Sequence, residues 1–262
     1  GMTYLRQRKP EAAELVLKQA IGLQPGNWSA YNDLGGFYYR SGRFAEAAEQ
    51  FEYVVALDQS NFMGLSNLGS VKMLIGDFDK AILALERAIE IEPRANTFSS
   101  LGLLYYYTER LDESVANHRR ATVLEPNDHL YWSNLGDALW AAGREEEMRE
   151  AFEIALTLAA SGLEVNADDA FLHMDIAWIQ TMLGAAEAAE EAIRRAHALS
   201  DDPYVYYIEG LMRLRDGDTA GAIESLGIAV ENGHSRTLMA VEPHLAALRD
   251  NDEFRELVDA SQ

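Results

Sequence analysis

Six histidines are the side chains of this 262-residue sequence best suited to proton transfer or metal ligation: His118, His129, His173, His197, His234 and His244. They are scattered. None forms a His-Glu-x-x-His or any other ligating spacing, and the absence of cysteine excludes thiol catalysis, disulfides and Cys-based zinc sites. His118 occupies a position where its helix expects a large apolar residue, so it reads as a packed core histidine, not as a base. No Gly-rich phosphate loop occurs. Asn27-Trp28-Ser29 has the form of a glycosylation acceptor but stands without a secretion signal. The acidic clusters Asp201-Asp202 and Glu145-Glu146-Glu147 read as solvated helix starts, which the helix dipole favours. The residues therefore predict no catalysis, no cofactor and no metal, and turn attention to binding.

Charge narrows the partners. A formal net charge of -21 opposes any role that rests on neutralising phosphates, so nucleic acid is not expected, and anionic membrane surfaces are disfavoured. Protein or peptide partners of basic or neutral character remain. No apolar run is long enough to span a bilayer and no signal-peptide pattern is found, so the expected location is cytoplasmic.

The elements that must position any binding residue are written in a period. Tyr31-x-x-Leu34-Gly35-x-x-Tyr38 is followed by Gly42 and then by Ala47-x-x-x-Phe51-x-x-Val54. Leu68-Gly69, Leu101-Gly102 and Leu135-Gly136 succeed Leu34-Gly35 at intervals of 34, 33 and 34 residues. Gly42 has equivalents in Gly76, Gly143, Gly184 and Gly217, where a residue free to take positive φ ends a helix; Glu109 stands at that place in the third repeat. Pro93 and Pro126 close the second and third repeats, because proline cannot continue a helix that needs its N–H, while Gln59 departs from that pattern. Gly35 and Ala47 are small so that paired helices can approach closely.

This pattern resembles the tetratricopeptide repeat (TPR), which implies an all-α solenoid of antiparallel helix pairs wound as a right-handed superhelix. The expected organisation is a leading half-repeat over 1–27, six repeats over 28–234 starting near 28, 62, 95, 129, 170 and 203, and a C-terminal cap and tail over 235–262. The leading half-repeat has its first helix abbreviated to a few residues around Tyr4 and Leu5. The fourth repeat carries its apolar pattern seven residues too far, through Leu163 and Val165, which predicts two extra turns of helix and a new cap at Asp168 or Asp169. Leu238, Met239, Val241, Leu245 and Leu248 read as a last amphipathic helix, followed by a short tail with Phe254, Leu257 and Val258. The ending from Glu242-Pro243-His244 to Phe254, with the lengthened fourth repeat, is similar to TPR regions of bacterial multidomain regulatory proteins.

The resemblance also implies where binding residues sit. In TPR proteins a second face of each first helix lines a concave groove that receives peptides. Carried over by position, that face holds Asn32, Asp33 and Tyr39, then Asn67, Ser70 and Met73, then Ser100 and Tyr106. The later repeats add Asn134, Asp137 and Trp140, then Asp175 and Trp178. An amide there both donates and accepts, so it can pair with a peptide bond whatever the side chain. Tyr39, Tyr106, Trp140 and Trp178 are expected as exposed aromatics that supply contact area. The matching positions lack the Lys and Arg that clamp acidic C-terminal peptides in one TPR subclass. The expected function is a non-catalytic protein-interaction scaffold. Two alternatives are a regulatory or sensor region of a larger kinase, transferase or transcription factor, and a self-associating module, a possible homo-oligomer, with the groove near Tyr207, Ile208 and Leu211 filled by the C-terminal helix.

Overall fold

The computed structural model describes residues 10–259, so the abbreviated helix around Tyr4 and Leu5 lies outside the described residues. Regular structure among them is helical. The first part of the order is α1 (Pro10–Leu23), α2 (Trp28–Arg40), α3 (Phe44–Leu57), α4 (Phe62–Leu74), α5 (Phe78–Ile91), α6 (Ala95–Tyr107) and α7 (Leu111–Leu124). It continues with α8 (His129–Ala141), α9 (Glu145–Val165), α10 (Ala170–Leu183), α11 (Ala186–Leu199), α12 (Pro203–Arg215) and α13 (Thr219–Glu231). Last come α14 (Arg236–Val241), a 3₁₀ helix (Pro243–Leu248) and α15 (Asp252–Val258).

The two helices of a repeat start differently. First helices begin behind a side-chain cap: the carboxamide of Asn27 accepts the Ser29 N–H, Asn61 that of Gly64, and Asp128 that of Leu130. The cap expected at Asp168 or Asp169 is Asp169, whose carboxylate accepts the N–H groups of Phe171 and Leu172. Second helices α3, α5, α7, α9 and α11 begin without one, whereas at α13 the Asp218 carboxylate accepts the Gly221 N–H. Their start is set by the end of the helix before. Gly42 takes φ 71°, its N–H donates to the Tyr39 carbonyl at 3.1 Å, and Arg43 N–H reaches back to Tyr38 at 2.9 Å. This paired arrangement satisfies the orphan carbonyls and turns the chain into the next helix. Glu109 adopts the same geometry at φ 59°, with Arg110 N–H on the Tyr105 carbonyl at 2.8 Å, and pays the steric cost that glycine avoids.

Close approach within the first, second and fourth pairs rests on the Leu-Gly dipeptides. A Cβ on Gly35 would sit 2.7 Å from the Phe51 ring, and one on Gly136 would sit 2.7 Å from that of Phe152. The lengthened second helix is present as the 21-residue α9, whose Gly162 packs against Leu172 of the following helix.

The chain divides into two compact units, with the boundary between Leu104 and Tyr105 inside α6. In the first, Leu34, Phe37, Phe51 and Val71 form a core that α1 covers with Ala13 and Leu17. Polar contacts fasten α1 as well: Arg43 pairs with Glu14 at 2.6 Å, and the Tyr38 hydroxyl donates to the same carboxylate at 3.0 Å. Arg43 first, then Lys18 at 2.7 Å and the Tyr38 hydroxyl, pull the Glu14 carboxyl down to about 2.

In the second unit a continuous core runs from Leu135, Phe152 and Ile179 to Leu226, Met239, Leu245, Leu248 and Phe254. The single amphipathic helix expected over Leu238–Leu248 is two pieces. Proline at position 243 cannot donate to the α-helical ladder, so α14 stops at Val241, Glu242 is extended (φ -61°, ψ 118°), and a 3₁₀ helix resumes. Met239, Leu245, Leu248 and Phe254 are 0–2 % exposed. At about 1.5–3 kcal/mol for each buried large apolar side chain, roughly 6–12 kcal/mol of gross burial holds the tail to the unit.

Candidate functional site

The residues expected on the concave face meet different surroundings in the two units. In the first, α2 and α4 bring Asn32 and Asn67 together, and the Asn67 Nδ2 donates to Asn32 Oδ1 at 2.9 Å. Among the described residues this leaves the Asn67 Oδ1 and the Asn32 Nδ2 to solvent, one acceptor and one donor side by side. Tyr39, about two helical turns beyond Asn32 on the same face of α2 and 42 % exposed, rests edge-on against Phe44 with ring centroids 5.7 Å apart. Asp33 is exposed; Met73 and Ser100 are half-buried. The Ser70 hydroxyl donates to the Ser66 carbonyl of its own helix at 3.1 Å, so its proton is committed.

In the second unit the corresponding positions converge on the chain's own tail. Glu242, 5 % exposed, accepts the Tyr106 hydroxyl at 2.8 Å and the His244 N–H at 3.1 Å on one oxygen, and the Tyr207 hydroxyl at 2.9 Å on the other. Burial, and then the negative charge of Glu242, push both phenols well above their ordinary value of 10, so they remain protonated donors at neutral pH. Two residues on, the His244 ring stacks on Trp140 at 3.8 Å and 19° and meets Trp178 edge-on at 4.7 Å. Its Nε2 lies 3.2 Å from Asp137 Oδ1, which also receives the Trp178 indole N–H at 3.0 Å. A carboxylate only accepts, so His244 Nε2 carries a hydrogen.

Tyr106, Trp140 and Trp178 are therefore not the exposed aromatics that their positions suggest. Tyr106 and Trp178 are buried and Trp140 half-buried, because Glu242 and His244 fill the face they line. Tyr207 belongs to the same cluster, and its ring is flanked by His234, stacked at 4.2 Å and 17°. Burial lowers the His234 ring to about 4. Asp175 is drawn away from this cluster by His129, whose Nε2 lies 2.9 Å from its Oδ2. Asn134 is half-buried on α8. In the sequence Glu242 and His244 stand out only as part of the ending and not as residues of this face, although Pro243 interrupting an amphipathic run signals that the segment leaves its helix there.

Two further histidines are fixed by their surroundings. His118 is buried without a charged neighbour and held down to about 3 by desolvation, which keeps it neutral. His197 and the Ser225 hydroxyl both contact Glu209 Oε2 at 3.2 Å. There the carboxylate lies in the middle, whereas activation of a serine requires the base beside the hydroxyl. Among the described residues no three His, Asp or Glu side chains group as a metal site. No helix among them is long and apolar enough to cross a membrane.

Family models described as tetratricopeptide repeat match residues 1–62, 65–94 and 99–162. The Protein CTR9 homolog of Arabidopsis thaliana is 24% identical over 252 residues, covering 90% of this chain and 22% of that protein. The peroxisomal targeting signal receptor of Kluyveromyces lactis is 23% identical over 181 residues, covering 67% of this chain and 32% of that one. The chain thus spans a third or less of the length of these curated relatives. Among solved structures, a tetratricopeptide repeat protein from Parabacteroides merdae superposes with a TM-score of 0.68 at 17% identity, covering 93% of this chain and 94% of the other, which is a likeness of fold.

Proposed function

Because this chain belongs to the tetratricopeptide repeat family, we propose that it is a non-catalytic protein-interaction scaffold that receives a peptide or partner segment on the concave side of its repeats. One observation carries this reading: the Asn32–Asn67 pair presents a donor and an acceptor, and the exposed Tyr39 ring lies on the same helix face about two turns along. A peptide bond needs one of each, and an aromatic surface along the same face supplies apolar area at low entropic cost. The relative named as a targeting-signal receptor is consistent with a partner that is itself a polypeptide segment.

A second reading, self-occlusion, is favoured in the second unit by the seating of Glu242 and His244 against Tyr106, Asp137, Trp140 and Trp178. The tail's gross apolar burial of roughly 6–12 kcal/mol makes it an integral cap, since a displacing peptide would have to match that term. The open receptor face is then that of the first unit. Affinity capture from the native host tests this with wild type, the triple variant Asn32→Ala/Tyr39→Ala/Asn67→Ala, and Leu83→Ala as a control on an exposed outer residue. A partner retained by wild type and control but lost by the triple variant supports the reading. Identical partners on all three would refute it.

A further inference from the structure

Most arginines of the second unit are spent on its abundant carboxylates: Arg119 and Arg144 pair with Glu147, and Arg213 with Glu209. Arg149 and Arg215 form no ion pair among the described residues, although they come from different helices, α9 and the end of α12. Both line one recess of about 350 Å³, together with Trp140, Met148, Met182 and Glu145. Its walls are preformed. Trp140 is clamped flat by His244 at 3.8 Å, the Arg215 guanidinium lies 6.0 Å from the indole centroid, and the two methionines are 5–6 % exposed.

Two guanidiniums without an ion pair on one recess stand out in a chain of net charge -21. Glu145 offsets one of them, which leaves a net positive lining around the half-buried Trp140 ring, with the two methionines largely covered behind it. Guanidinium pairs with carboxylate through directed, charge-assisted hydrogen bonds, and the polarizable thioethers of methionine adapt to an inserted apolar side chain. The volume falls at the small end of ordinary ligand sites, room for one large side chain and an adjoining acidic group.

We infer that this recess is a second interaction site, distinct from the Asn32–Asn67 face of the first unit, and that it takes a partner segment presenting an Asp or Glu beside a large apolar residue. The apolar side chain rests on the Trp140 ring, backed by Met148 and Met182, and the carboxylate meets Arg149 and Arg215. This partner chemistry is opposite to the basic or neutral one suggested by the overall charge.

A library of random peptides displayed on phage, selected on the full chain, provides the probe; enriched peptides are then synthesised and titrated by fluorescence anisotropy. The expected set carries an acidic residue next to Leu, Ile or Phe. Its binding falls about tenfold on Arg149→Gln/Arg215→Gln, as for loss of a well-placed interface residue, and by a similar factor when the acidic residue is replaced by its amide. Glu145→Gln tightens binding by removing the competing charge, which keeps the test open if the double variant proves poorly folded. The inference is overturned if no peptide enriches, if the enriched set lacks acidic residues, or if affinity is the same on the arginine variants. Because Asn32→Ala/Asn67→Ala leaves this binding unchanged, failure here and failure of the concave-face reading are distinguishable.

Discussion

Replacing Tyr106 and Tyr207 together by phenylalanine keeps both rings and removes two of the three donors to Glu242, leaving its carboxylate, 5 % exposed, with only the His244 N–H. A hydrogen bond to a charged group contributes about 1.5–3 kcal/mol, and stripping the partners from a buried charge costs about 3–5 kcal/mol. The second unit is therefore expected to lose about 3–5 kcal/mol. The upper end is capped by the freedom of Glu242 to swing out at the expense of local tail packing. Urea unfolding followed by tryptophan emission reads this directly, because Trp132, Trp140 and Trp178 lie in that unit and only Trp28 lies in the other. Hydrogen exchange over residues 236–258 should accelerate in parallel. Adding Glu242→Leu to the double variant removes the orphaned charge and should restore most of the loss. A double variant within about 1 kcal/mol of wild type, with unchanged exchange in the tail, would refute the role assigned to these phenols.

Two further outcomes follow from the same geometry. His118 and His234 are held at about 3 and about 4, below the ordinary 6.5, so the unfolded chain binds their protons first as pH falls. Stability is full above 6.5 and declines below it, by about 2 kcal/mol per histidine at pH 5; urea midpoints at pH 7.5 and 5 measure the decline, and His118→Leu should remove roughly half of it. Glu109→Gly relieves a left-handed conformation at φ 59° and gives up only an exposed contact with Arg249, so it should stabilise the second unit by about 0.5–1 kcal/mol in the same urea assay.

The repeat frame was legible because its signals are local. Leu-Gly pairs at constant spacing, a glycine at each helix end and the seven-residue overrun after Ala155 each depend on neighbours a turn or two away, and the 21-residue α9 followed by the Asp169 cap answers the last of them. The tail was not legible in the same way. Apolar spacing in Leu238, Met239, Val241, Leu245 and Leu248 fits one helix, and only Pro243 opposes it. Periodicity also places Tyr106, Trp140 and Trp178 on a face without saying what covers that face. What covers it is decided by contacts between residues 66 to 136 positions apart, and no local pattern encodes them.

That separation has a kinetic side. Helix pairs close over a few tens of residues and form early, whereas the Tyr106–Glu242 bond joins positions 136 apart and the Asp137–His244 contact positions 107 apart. Contacts of such high order form late, after the chain entropy between them has been spent. During synthesis the repeats of the second unit therefore emerge and pair while the aromatic face is still bare, and it stays bare until residues 242–244 leave the ribosome. For that interval the nascent chain exposes Tyr106, Trp140 and Trp178 as a hydrophobic surface that the finished protein does not have, which is a period of vulnerability to misassociation written into the order of its residues.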